Sequence, residues 1–197
     1  MYEKINITEN YLRVLSLFTC GFDKEYYIRE VQRLLKISPR TAQLILDDLE
    51  KKIVLESYVK GKIKLYRLRL TVEARDYIVF TETYKRIKFI EKSLKIKEII
   101  DELAHKIEGI GIIFGSYAKG IEKKDSDIDI FIAGTYDKKE FERVSSISGV
   151  KLDIKNYPLE LFKSELDKDI LIREVLDNHI ILFGSEHLIN LIIKPKF

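Results

Sequence analysis

Residues 112–134 read IIFGSYAKGIEKKDSDIDIFIAG. The pair Gly115-Ser116 closes one apolar run, and a second apolar run opens on two aspartates, Asp127 and Asp129, flanking one isoleucine. The runs GIGIIFGS and DIDIFIAG are short, rich in isoleucine and bounded by glycine, which predicts two strands. Residues two apart on a strand face the same way, so Asp127 and Asp129 project side by side. Two neighbouring carboxylates repel, and burying them unpaired costs several kcal/mol. A divalent cation removes that objection, because Mg²⁺ prefers oxygen ligands, takes one or two carboxylates, and completes its shell with water and phosphate oxygen. The pair reads as a metal site awaiting a phosphorylated ligand.

Gly115 and Ser116 stand where the first strand ends and a short helix, YAKG, begins. Glycine lets the backbone approach a phosphate, a helix start offers unpaired N–H groups, and Ser116 adds a hydroxyl. Lys119, Lys123 and Lys124 bracket the spacer and can steer a triphosphate, although a solvated loop is the commoner fate of such a run. Here the residues resemble a family. Gly115-Ser116, the ten-residue spacer Tyr117 to Ser126, and Asp127-Ile128-Asp129 are similar to the signature of the DNA polymerase β-like nucleotidyltransferases, in particular their minimal branch. GSYAKG looks like the family's Gly-Ser-x-Ala-x-Gly, with Lys119 where arginine is frequent.

The resemblance implies a small α/β domain with a mixed sheet and a third carboxylate on a neighbouring strand, for which Asp153 in VKLDIKNYP stands at the right place. It implies that Asp127, Asp129 and Asp153 hold two Mg²⁺ ions, and that Asp153 assists deprotonation of the attacking hydroxyl. Gly115, Ser116 and Lys119 would take the nucleotide phosphates. The implied substrate is a nucleoside triphosphate, with ATP expected, and a nucleoside monophosphate would pass to an acceptor hydroxyl. Minimal members include antitoxins that modify a partner toxin, so a partner protein is an implied acceptor. A retained fold that only senses nucleotide is the competing reading.

Upstream, Thr8 is placed to cap a helix carrying Leu12, Leu15 and Phe18, and EYYIREVQRLLKI repeats the period through Ile28, Val31, Leu34 and Leu35. Ser38 and Pro39 start a third helix, with Ala42, Leu44, Ile45, Leu49 and Ile53 as its apolar stripe. VLESYVKGKIKLYRLRL alternates around Lys60-Gly61-Lys62, which predicts a β-hairpin. Three helices and a basic hairpin resemble a winged helix–turn–helix, a fold that usually binds DNA. Arg40, Thr41 and Gln43 in the first turn of the third helix would then meet base edges or phosphates, and Lys60, Lys62 and Lys64 on the hairpin would meet phosphate. The competing reading is a solvated face on a dimerisation module.

The expected organisation is α+β: a winged helix–turn–helix of three helices and a hairpin over 1–70, a helical connector over 71–93, and the nucleotidyltransferase-like domain over 94–197. The long helical stretch 71–107 breaks near Ser93, and Ile96, Ile99, Ile100, Leu103 and Ile107 form its cleaner stripe. An exposed stripe on the connector can pair two subunits as a homodimer, or pack on the hairpin. Residues 1–95 carry 20 Lys and Arg against 13 Asp and Glu, whereas residues 96–197 carry 15 against 19, which suggests two modules with different partners. The single cysteine, Cys20, points to a structural thiol in a reducing cytoplasm, and no apolar run approaches the roughly 20 residues of a membrane span. MYEKINITEN lacks the pattern of a secretory leader. His105, His179 and His187 have no partners at metal-ligand spacing and read as structural or surface residues.

Overall fold

The structure is a computed structural model and describes residues 7–193. Residues 1–6, on which the expectation of no leader partly rests, lie outside the described residues. The chain divides into two compact units, one running to Thr81 and taking Ile193 as well, the other Glu82–Ile192.

The first unit contains α1 (Glu9–Thr19), β1 (Glu25–Tyr26), α2 (Ile28–Leu35), α3 (Pro39–Lys51), β2 (Leu55–Lys60) and β3 (Ile63–Leu68). Local chemistry sets its boundaries. The Thr8 side chain accepts from Tyr11 N–H at 3.3 Å, and Ser38 accepts from Thr41 N–H at 3.0 Å with Pro39 behind it. β2 and β3 pair antiparallel with Lys60 opposite Ile63, so Gly61-Lys62 is a two-residue turn, and β1 adds to the far edge of β3. Two expected stripes are corrected. Glu25 and Tyr26 are strand rather than helix, and Leu34 is exposed, leaving Val31 as the buried residue of α2. In α3 the buried residues are Ala42, Leu46 and Leu49. Leu44 follows Ala42 by two residues, a turn of about 200° round the helix, and so faces solvent. Ile53 lies beyond the helix end at φ 61° and is exposed too.

The stretch expected as a connector is mainly one helix, α4 (Val72–Ile90), whose two halves pack into different units. Ala74 and Ile78 are buried in its first half and Phe89 in its second. The break before the next helix comes where expected: Ser93 Oγ accepts from Ile96 N–H, and Ser93 C=O from Lys97 N–H at 3.0 Å.

The second unit continues with α5 (Leu94–Leu103), β4 (Ile107–Ile113), α6 (Gly115–Lys119), β5 (Ile128–Tyr136), α7 (Lys138–Ser148), β6 (Leu152–Tyr157), α8 (Leu159–Glu165), α9 (Ile170–Asp177), β7 (Ile180–Phe183) and α10 (Ser185–Ile192). Its sheet runs β6-β5-β4-β7; β5 and β6 are parallel, and the other pairs are antiparallel. This is the mixed sheet expected. Ile128, Ile130 and Ile132 enter a core with Ile96, Ile99, Ile100 and Leu103 of α5 and with Phe141 and Val144 of α7. Phe131 points the other way, onto Tyr157 and Phe162. Period two therefore separates the core-facing isoleucines of β5 from Asp129. Ile107 opens β4 instead of ending the α5 stripe, and two helices follow β6, with Asp169 capping the second through Ile172 N–H at 2.9 Å.

Candidate active site

Gly115 begins α6 at φ +66°, a left-handed conformation that side chains resist. A Cβ there would overlap Asp129 Oδ2 and lie 2.9 Å from its Cγ. Phe114 N–H donates to Asp129 C=O at 3.0 Å. The turn after β4 is thus moulded against the start of β5, with the Asp129 carboxylate in direct contact with its backbone.

Asp129 and Asp153 are paired Cα partners in the parallel β5–β6 ladder, so their side chains stand together on one face. Asp127, one residue before β5, ion-pairs with Lys151, and Asp153 pairs with Lys155 at 3.3 Å. Burial first, then the charges of Asp153 and Asp127, push the Asp129 carboxyl above its ordinary pKa, with Lys155 opposing and Glu174 of α9 adding to the rise. Among the described residues, no three His, Cys, Asp or Glu side chains converge closely enough to hold a metal ion. In the structure Asp127 turns to Lys151 and Asp153 to Lys155. The set still fits a hard cation in kind. It offers only oxygen donors, and its central member is held up in pKa by burial first and then by like charge.

Residues 94–188 match the family model described as polymerase beta, nucleotidyltransferase. Over that stretch the chain is similar to the polymerase β-type nucleotidyltransferases. No curated protein and no solved structure matches the chain significantly.

Within the matched region, Ser116 is half-buried and its hydroxyl takes no hydrogen bond among the described residues, while Lys119 is exposed and carries no ion pair among them. Tyr117 donates weakly to Ser126 C=O at 3.5 Å. Burial first, then Glu122 and Asp127, raise the pKa of Tyr117. Lys151 and Lys155 went unnoticed in the sequence, although they alternate with Asp153 at period two. Glu174 had no such signal, because it reaches the acids from a separate helix. His179, expected to be structural, is buried, with Nδ1 at 2.6 Å from Leu176 C=O and Nε2 at 3.1 Å from the buried Glu82. His105 is exposed, and His187 is half-buried on α10.

In the first unit, Arg40 is exposed, and Thr41 and Gln43 are half-buried on the first turns of α3. Thr41 Oγ1 lies 2.8 Å from Ser38 Oγ. Lys60 and Lys62 are exposed at the hairpin tip. Lys64 reaches Glu50 at 2.7 Å and lies 4.7 Å from the centre of the Tyr66 ring, so its charge is already engaged. Asp47 accepts from Tyr66 Oη, and Asp48 from Lys52 Nζ. No helix is long and apolar enough to cross a membrane among the described residues.

Proposed function

We propose that the protein transfers a nucleoside monophosphate from a nucleoside triphosphate, ATP being the expected donor, to an acceptor hydroxyl. The observation that carries this reading is the β5–β6 register, which stands Asp129 beside Asp153 against the Gly115 turn inside the matched domain. Asp127, Asp129 and Asp153 would hold Mg²⁺, two ions by resemblance, which when bound neutralises phosphate charge. For that, Lys151 and Lys155 have to release Asp127 and Asp153, and both lysines can then turn to phosphate oxygens. Gly115 allows close backbone approach, and the Ser116 hydroxyl and Lys119 are open to phosphate. Attack of the acceptor oxygen on the α-phosphorus forms a new P–O bond, breaks the α–β bond and releases pyrophosphate. The acceptor proton passes to Asp153.

The first unit is read as a winged helix–turn–helix on DNA, supported by its three helices, its hairpin and the free tip lysines. By resemblance to the antitoxin-like members, the acceptor is a partner protein. The exposed Val72, Phe80 and Ile87 on α4 support the homodimer reading. The experiment is incubation with α-labelled ATP, Mg²⁺ and cell lysate. A discrete labelled acceptor is expected, lost in Asp127→Ala with Asp129→Ala. Tight binding of a specific duplex with no label under any condition would give the second reading, a DNA-binding regulator that senses nucleotide. The engagement of two acids by lysines favours that alternative.

A further inference from the structure

β6 and β7 are the two edges of the second unit's sheet. An open edge is a template for another strand, and proteins usually guard it. β7 is guarded, because Arg86 of α4 donates to Leu182 C=O at 2.9 Å. β6 has no such guard among the described residues. Ile128 N–H donates to Lys151 C=O at 2.9 Å, and the alternation of a parallel ladder then turns Asp153, Lys155 and Tyr157 towards β5. Leu152, Ile154 and Asn156 aim their N–H and C=O outward, where no described residue bonds to them. Leu152 and Ile154 also line an open cleft of about 510 Å³ with Phe141, Glu142 and Ser145 of α7, so that helix does not seal the strand.

A row of alternating backbone donors and acceptors fits another extended backbone, and the side chains select which one. Lys151, Asp153 and Lys155 share one face of β6, and Leu152 and Ile154 share the other. Laid antiparallel against itself about Ile154, the strand sets Ile154 beside its own copy and Leu152 against Asn156. Asp153 then meets Lys155 twice, once on each side of the two-fold axis. The neighbouring registers do worse. Centring on Asp153 or on Lys155 opposes that residue with its own copy, and centring on Leu152 runs off the start of the strand. The one register that spans the strand without opposing like charges is self-complementary.

We propose that β6 is an interface for a second copy of this chain, the two strands pairing antiparallel about Ile154 and joining their four-stranded sheets into one. This surface is separate from the exposed stripe of α4. The pairing does not rest on nucleotidyl transfer, yet it reaches the acids. Each Asp153 faces the partner's Lys155 as well as its own, so the second copy supplies a cation at the edge of the acid group.

Sedimentation of the full chain over a range of concentrations tests the interface without nucleotide or metal, so its outcome is separate from that of the labelling experiment. Lys155→Glu sets like charges against Asp153 on both sides of the axis and is expected to weaken self-association about tenfold. Asp153→Lys/Lys155→Glu reverses both charges and is expected to restore it. Ile154→Pro removes the outward N–H of the central pair, spares the ladder to β5, and is expected to yield monomer. Phe80→Ser/Ile87→Ser on the exposed stripe of α4 is expected to leave the β6 association in place. Circular dichroism checks the fold of each variant. A chain that stays monomeric at every concentration would overturn the proposal, whatever other protein takes the edge. So would association that ignores Lys155→Glu, association that the reversed pair does not restore, or association lost only in the α4 variant.

Discussion

In the second unit the Asp129 carboxylate fills the space that a side chain at Gly115 would need. The turn and the acid are therefore in steric contact, and a side chain added at Gly115 displaces Asp129. Gly115→Ala adds a left-handed strain of about 1–2 kcal/mol and pushes Asp129 from its place. A loss of nucleotidyl transfer larger than that stability loss is expected. Full activity with normal melting would show that the placement of Asp129 does not matter to the chemistry.

Like charge around Asp129 also sets an expectation for cation binding. Mg²⁺ at about 100 times its dissociation constant should stabilise the protein by about 2.7 kcal/mol, raising the melting temperature by several degrees. Asp129→Asn should abolish the rise, and calorimetry with and without chelator reads it. An equal rise in the variant would place the cation elsewhere.

Glu82 is fully buried and receives Lys85 at 2.9 Å and His179 at 3.1 Å. Removing the acid leaves the Lys85 ammonium and the buried His179 ring without this carboxylate. Glu82→Ala is expected to lower stability by about 3–5 kcal/mol in chemical denaturation, with Glu82→Gln milder. A cost below 1 kcal/mol in the alanine variant would mean that water already compensates these groups.

Leu46 and Leu44 test the corrected face of α3. Leu46→Ala is expected to cost about 2–5 kcal/mol and Leu44→Ala within about 0.5 kcal/mol, since only Leu46 is enclosed. Reversed values would restore the stripe read from the sequence.

The hairpin lysines differ in the same way. If the first unit binds duplex DNA, Lys62→Ala should weaken binding to all sequences and flatten the salt slope by about 0.9. Lys64→Ala should change it less, because Glu50 already holds that ammonium. Equal effects would show that Lys64 leaves Glu50 on binding.

The local features were legible without a structure: Thr8 and Ser38 as caps, the Gly61-Lys62 turn, the break at Ser93, and the Gly-Ser and Asp-Ile-Asp blocks at the ends of two strands. Each depends on neighbours within a few residues, where propensity and period act directly. Tertiary packing decided the rest. Asp129 and Asp153 lie 24 residues apart, and only the parallel register of β5 and β6 sets them side by side. Packing also chose Leu46 over Leu44, brought Glu174 towards the acids from α9, and left β6 at an edge of the sheet. Those placements depend on which faces are buried together, and hydrophobic burial settles that over the whole domain rather than along a stretch of chain.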